Sequence, residues 1–291
     1  MALTAACLGA LLLAAIWYAA HYIPFARHAD ASVLGGFVGL DRPGLNRLTN
    51  AIASLCDPEP FVFLAAIPVF VAFARGRPRT AFTLLAILLC ANETTELLKP
   101  LLAGPRDLVP GNPLSDASWP SGHATAAMSL CLCSVIAAPS RWRPAVAAVM
   151  AAFAIAVSYS FLELGWHYPS DVLGGFLVAT VWTLLGIAAL SIYGRRHPAR
   201  VTDEPARFSL TQALGPPVAL VVAGLVLAGL LALVDPHGVS SYAHQHTWFV
   251  VGAGAIAALG FLLASGVALM LRASGMRRRD SARRLTGPPA S

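Results

Sequence analysis

The chain has 291 residues, 57% hydrophobic and 12% charged, with a net charge of +6 and a mean hydropathy of +0.68. A soluble domain carries about a quarter charged residues, so these values exclude a disordered chain, a coiled coil and a disulfide scaffold. They weigh against an ordinary soluble enzyme and leave a polytopic membrane protein.

Eight segments are apolar and long enough to be read as spanning helices: 3–23, 59–74, 80–98, 123–139, 144–162, 168–193, 214–234 and 247–271. The first lacks a basic start and outruns the apolar region of a typical signal peptide, so it is read as a retained helix. Residues 24–58 mix Gly, Pro and Asp with Leu40, Leu45, Leu48, Ile52 and Leu55. That spacing fits an interfacial amphipathic helix, with a plain connecting loop as the other reading. The expected fold is an all-α transmembrane bundle. It divides into a first helix with an outer segment (1–58), a core (59–193), a basic linker (194–213), a C-terminal helix pair (214–272) and a basic disordered tail (273–291). Four of the five cysteines lie in apolar runs, and their spacing fits neither a disulfide framework nor a metal cage.

The positive charge lies in short clusters between apolar runs, which points to membrane topology and away from nucleic acid. Fifteen of the 20 Lys and Arg residues fall at 75–79, 141–143, 195–207 and 272–284, which are alternate connections. These connections are therefore read as cytoplasmic, with both termini on that side and a plasma-membrane location. The connections at 163–167 and 235–246 carry no Lys or Arg, as an outer side requires.

Three outer clusters carry chemistry. Asn92, Glu96 and Lys99 share one helical face at the end of the third segment, and Arg106 follows in the next connection. Lys99 is the only lysine in the chain. A helix-end lysine snorkelling to the interface is the bland reading, but this one sits on the side where positive charge is disfavoured. Two cations there suit an anionic group. The fourth segment opens Trp119-Pro120-Ser121-Gly122-His123, in which a helix N-terminus, a hydroxyl and an imidazole could meet an anion. Alone, this is a common capped helix start. The sixth opens His167-Tyr168-Pro169-Ser170-Asp171, with the carboxylate four residues from an imidazole that it could orient. Together the clusters bring positive charge, N–H donors, two histidines and a carboxylate to one side. That set suits phosphoryl transfer through a covalent histidine.

Lys99 and Arg106, then Pro120-Ser121-Gly122-His123, then His167 and Asp171 resemble, in order and spacing, the three signature motifs of the PAP2 (type 2 phosphatidic acid phosphatase) superfamily. The resemblance covers roughly 59–193, within a six-helix core, and leaves the last two spans outside it. It implies an integral-membrane lipid phosphatase that needs no metal or other cofactor. His167 would attack phosphorus, Asp171 would orient it, and His123 would protonate the leaving oxygen. Lys99, Arg106, Ser121 and Gly122 would hold the phosphoryl oxygens. The partner would be a lipid phosphate within the bilayer: a polyprenyl diphosphate, phosphatidic acid or phosphatidylglycerol phosphate.

Two positions depart from the family pattern. Asp107 stands where proline usually follows the arginine, and Ser160-Phe161 stands where Ser-Arg usually opens the third motif. Losing one such donor to phosphate removes about 2–4 kcal/mol of transition-state stabilisation. Glu163 adds negative charge nearby, and Arg27, Arg42 or Arg47 are the arginines of the outer segment that could compensate. The alternatives are a lipid phosphotransferase with a non-water acceptor, a catalytically weakened binding or transport protein, and a metal-dependent hydrolase using His123, His167 and Asp171. His237, His244 and His246 form a second histidine-rich stretch without cage-like spacing, read as an interfacial polar loop. Oligomeric state is not legible.

Overall fold

The computed structural model describes residues 1–40, 43–106, 114–196, 210–234 and 236–286. Among them are eleven α-helices in the order α1 (Ala2–Tyr22), α2 (Pro24–Val38), α3 (Pro43–Ala53), α4 (Pro58–Ala74), α5 (Pro78–Leu101), α6 (Gly122–Ala137), α7 (Arg143–Glu163), α8 (Pro169–Arg196), α9 (Leu210–Val234), α10 (Pro236–Gln245) and α11 (Thr247–Thr286). Short 3-10 turns at Ser54–Cys56 and Ser140–Trp142 precede α4 and α7.

Proline sets most of the starts. Six helices begin on one and α7 carries Pro144 in its first turn. Proline's missing N–H is an orphan at that position anyway, and its fixed φ suits the helix. Each of the eight apolar segments lies on a helix. Five of these helices are long and apolar enough to cross a membrane. Gly44–Cys56 and Pro58–Ala74 pass the same test only when taken together, across a 59° bend, so five or six spans are counted among the described residues. The helix α6, at 16 residues, is shorter. It is also the most enclosed: Ala124 to Cys133 is buried without interruption, and α5, α7 and α8 pack around it.

The large apolar side chains left exposed, such as Leu11 on α1, Phe63 on α4, Leu89 on α5 and Val149 on α7, give the bundle a lipid-compatible surface. The outer segment is helical rather than a loop. The helix α2 packs on α11, and α3 lies on α7. The C-terminal pair is part of the bundle: Ile256, Ala264, Val267 and Ala268 of α11 join the central apolar cluster, and α9 leans on α7. The helix α11 also runs to Thr286, into the stretch expected as a disordered tail. That stretch carries five arginines, which favour helix, and meets no proline until Pro288. The linker expected at 194–213 lies mainly outside the described residues, as do Arg42 and Asp107.

Candidate active site

The site forms where the ends of α5, α6 and α8 meet. On α5, Lys99 Nζ donates to Glu96 Oε1 at 2.6 Å. Both groups face the start of α6, because a Cβ on Gly122 would lie 3.1 Å from that oxygen and 3.3 Å from that nitrogen. Asn92 turns back to its own helix and bonds the Leu88 carbonyl at 2.7 Å. One turn on, Thr95 and Thr125 share a hydroxyl contact of 2.9 Å that fixes α5 against α6.

Ser121 is the N-cap of α6. Its backbone is extended and its Oγ accepts from the Ala124 N–H. The Ser121 N–H donates to the Asp171 carbonyl at 3.0 Å, stitching this helix start to α8. Gly175 permits the contact: a Cβ there would sit 2.7 Å from the Ser121 carbonyl oxygen. Two expected motifs are thus held together by backbone.

The third motif begins where α7 ends. Gly165 takes φ +71° and donates to the Leu162 carbonyl, while Trp166 donates to Phe161. This glycine-terminated cap stops the helix and turns the chain into His167. Pro169 then opens α8. The His167 Nδ1 lies 3.3 Å from Asp171 Oδ2, and the Tyr168 N–H donates to that same oxygen at 2.9 Å. Asp171 is fully buried, and donors on both of its oxygens offset the cost of burying a carboxylate.

The other Asp171 oxygen is taken by Arg106. One guanidinium nitrogen, Nη2, donates to Asp171 Oδ1 at 3.0 Å, to Asp30 Oδ2 at 2.9 Å and to Ser170 Oγ at 2.9 Å. The guanidinium also lies 4.2 Å over the Tyr168 ring. Its Nη1 is buried with no partner among the described residues. Asp30, on α2, accepts as well from the Ser170 N–H at 2.9 Å and from its hydroxyl at 2.7 Å. One guanidinium therefore serves two buried carboxylates. Desolvation, only partly opposed by Arg106, pushes Asp30 up to about 6. Arg106, expected at the phosphate, bonds Asp171 and Asp30 through Nη2.

Phe161, at the usual arginine position, is fully buried between the two histidines. Its ring meets His167 edge-on at 5.3 Å and lies 5.9 Å from His123. Trp166 stands 5.7 Å from His123. His123 Nε2 lies 3.0 Å from Asp57 Oδ1. Of the arginines considered as replacements, Arg47 is exposed on α3, and Arg27 on α2 is electrostatically coupled to His21. Glu163 is buried with neither oxygen partnered.

Asp30, Asp57 and Ser170 escaped the sequence reading. Two had a signal. Asp30 is a carboxylate amid apolar positions, and Asp57 precedes a proline that starts a helix. In the stretch expected as an interfacial polar loop lies α10, and the Tyr242 and His246 rings meet at a tilt, 4.3 Å apart. No group of three or more metal-ligating side chains converges among the described residues.

The sequence profile of the PAP2 superfamily matches residues 61–196. No curated protein matches the chain. A solved structure with a related fold is described as the first transmembrane PAP2 type phosphatidylglycerolphosphate phosphatase from Bacillus subtilis. The two share 20% identity and a TM-score of 0.55, over 67% of this chain and 98% of that one.

Proposed function

We propose, on the match of residues 61–196 to the PAP2 superfamily profile, that the chain is a lipid phosphatase of that superfamily acting through phosphohistidine at His167. The observation that carries this reading is the pairing of His167 Nδ1 with Asp171 Oδ2 at 3.3 Å, beside a second histidine held around the same phenyl ring. Asp171 holds the Nδ1–H and leaves Nε2 with a lone pair for phosphorus. The N–P bond forms as the P–O bond to the lipid breaks, and His123 gives that oxygen its proton. Water then attacks the phosphohistidine, giving its proton to His123 and freeing His167.

Lys99 and the first-turn N–H groups of α6 would receive the phosphoryl oxygens, with Arg106 Nη1 as a further donor. Ser121 would hold that helix start, and Gly122 would let the phosphate approach it. No step requires a metal. The substrate is read as a phosphatidylglycerol phosphate, phosphatidic acid or polyprenyl diphosphate whose tail stays in the bilayer. The site would face the extracytoplasmic side of the plasma membrane, with both termini cytoplasmic. Transfer to a non-water acceptor would use the same residues and differ only in product. That reading is favoured by Phe161, which replaces a cation with an apolar wall.

The test is phosphate release by purified protein in detergent with chelator present, offering all three lipids. Wild type should release phosphate and His167→Ala should not. Equal release by the variant would overturn the reading.

A further inference from the structure

We infer that Asp57 is the positioning residue for His123, fixing it as the Nδ1 acid of the reaction; this rests on the phosphatase reading above. Asp57 stands at the N-cap of α4, directly before Pro58. Aspartate there ordinarily accepts from a first-turn N–H of its own helix. This one makes no such cap bond. Its carboxylate goes across to α6 instead, 3.0 Å from His123 Nε2. The 59° bend between Gly44–Cys56 and Pro58–Ala74 falls at this residue and aims it. An ideal capping group forgoes its local role for a histidine 66 positions away.

The chemistry follows from the atom used. A carboxylate at Nε2 holds a proton there and leaves Nδ1 to exchange one. His167 has the reverse arrangement, with Asp171 at Nδ1 and Nε2 free. The two His–Asp pairs flank Phe161 and present opposite ring nitrogens, one as nucleophile and one as acid. When the P–O bond breaks, its electron pair stays on the leaving oxygen, which takes the Nδ1 proton. Asp57 stabilises the imidazolium before transfer. Lys99 and His167 also act electrostatically on this ring, and Glu96 lies at the same helix start. Of these, Asp57 alone bonds His123 among the described residues.

The experiment compares wild type, Asp57→Asn and Asp57→Glu on a lipid alkyl phosphate and on p-nitrophenyl phosphate, whose leaving group needs no proton. In parallel, 15N-histidine spectra report the His123 tautomer, assigned by difference against His123→Ala. Asp57→Asn should lower kcat on the alkyl ester about 100-fold with KM held within about twofold, and the aryl ester should be largely spared. Asp57→Glu should recover part of the loss, and the tautomer signal should move in the Asn variant only. Equal loss on both esters, or no loss on the alkyl ester, would overturn the role. An unmoved tautomer signal would overturn the pairing itself. If wild type cleaves neither ester, the phosphatase reading fails and the acid role falls with it, while the spectra still report whether Asp57 holds the ring.

Discussion

At the scale of residues, the least expected feature is the sharing of Arg106 between Asp30 and Asp171. Both carboxylates are buried, and a single cation cannot neutralise two anions. Burial, with the Asp171 charge adding to it and Arg106 only partly opposing it, lifts the proton equilibrium of Asp30 from the ordinary 3.8 up to about 6. The folded state therefore binds this proton more tightly than the unfolded chain. The resulting stability is complete below about pH 4 and is lost as pH rises through about 6. Two pH units correspond to about 3 kcal/mol. Thermal unfolding in detergent should show higher stability at pH 5 than at pH 7.5, and Asp30→Asn should flatten that difference. A steeper difference in the variant would contradict the assignment. Lys99, His123, His167 and Asp171 were legible from the sequence, because each sits at a motif position beside a helix end. Asp30 and Asp57 were not. Each acts on a residue more than 60 positions away, and local spacing carries no information about such pairs.

At the scale of elements, the site depends on how closely α6 can approach α8. Gly175 sets that distance. A methyl group there would come within 2.7 Å of the Ser121 carbonyl oxygen and 2.9 Å of the Thr125 nitrogen, both backbone atoms with little room to yield. Gly175→Ala should push the start of α6 outward, cost about 1–3 kcal/mol of stability and lower phosphate release at least tenfold, even though no catalytic side chain is touched. The check is turnover together with the unfolding temperature; unchanged values of both would contradict it. Proline and glycine fix helix starts and stops here, as at Pro169 and Gly165. The helices α2 and α3 were not read as a pair. Val33, Leu34 and Phe37 of α2 are buried, whereas Leu48 of α3 and Leu55 after it stay exposed, so one short apolar pattern serves both a packed face and an open one.

At the scale of the whole molecule, the last helices matter more than their place outside the family match suggests. The helix α11 sends Ile256 and Ala264 into the centre of the bundle, and a Cβ on its Gly260 would lie 3.1 Å from Ile155 of α7. Tyr159 of α7 donates to the Ala253 carbonyl at 2.6 Å. A chain ending after Arg196 would expose this face of α7 and leave the hydroxyl unpaired. Such a chain should fail to yield monodisperse protein in size exclusion, whereas a folded, active truncated core would show that α9 to α11 are an accessory. The sequence places these helices in the membrane by their hydropathy, but it does not say which face of the core they cover. That choice is made by side-chain shape across helices distant in sequence.

The central claim is a covalent phosphoryl group on His167. The most direct measurement mixes the protein with a lipid phosphate substrate, quenches within the first turnover under alkaline conditions, and maps the phosphorylated peptide by mass spectrometry. The phosphoryl group should be found on the peptide carrying His167 and should be absent from His167→Ala. Phosphate release proceeding with no such adduct, or an adduct found on His123 instead, would contradict the account.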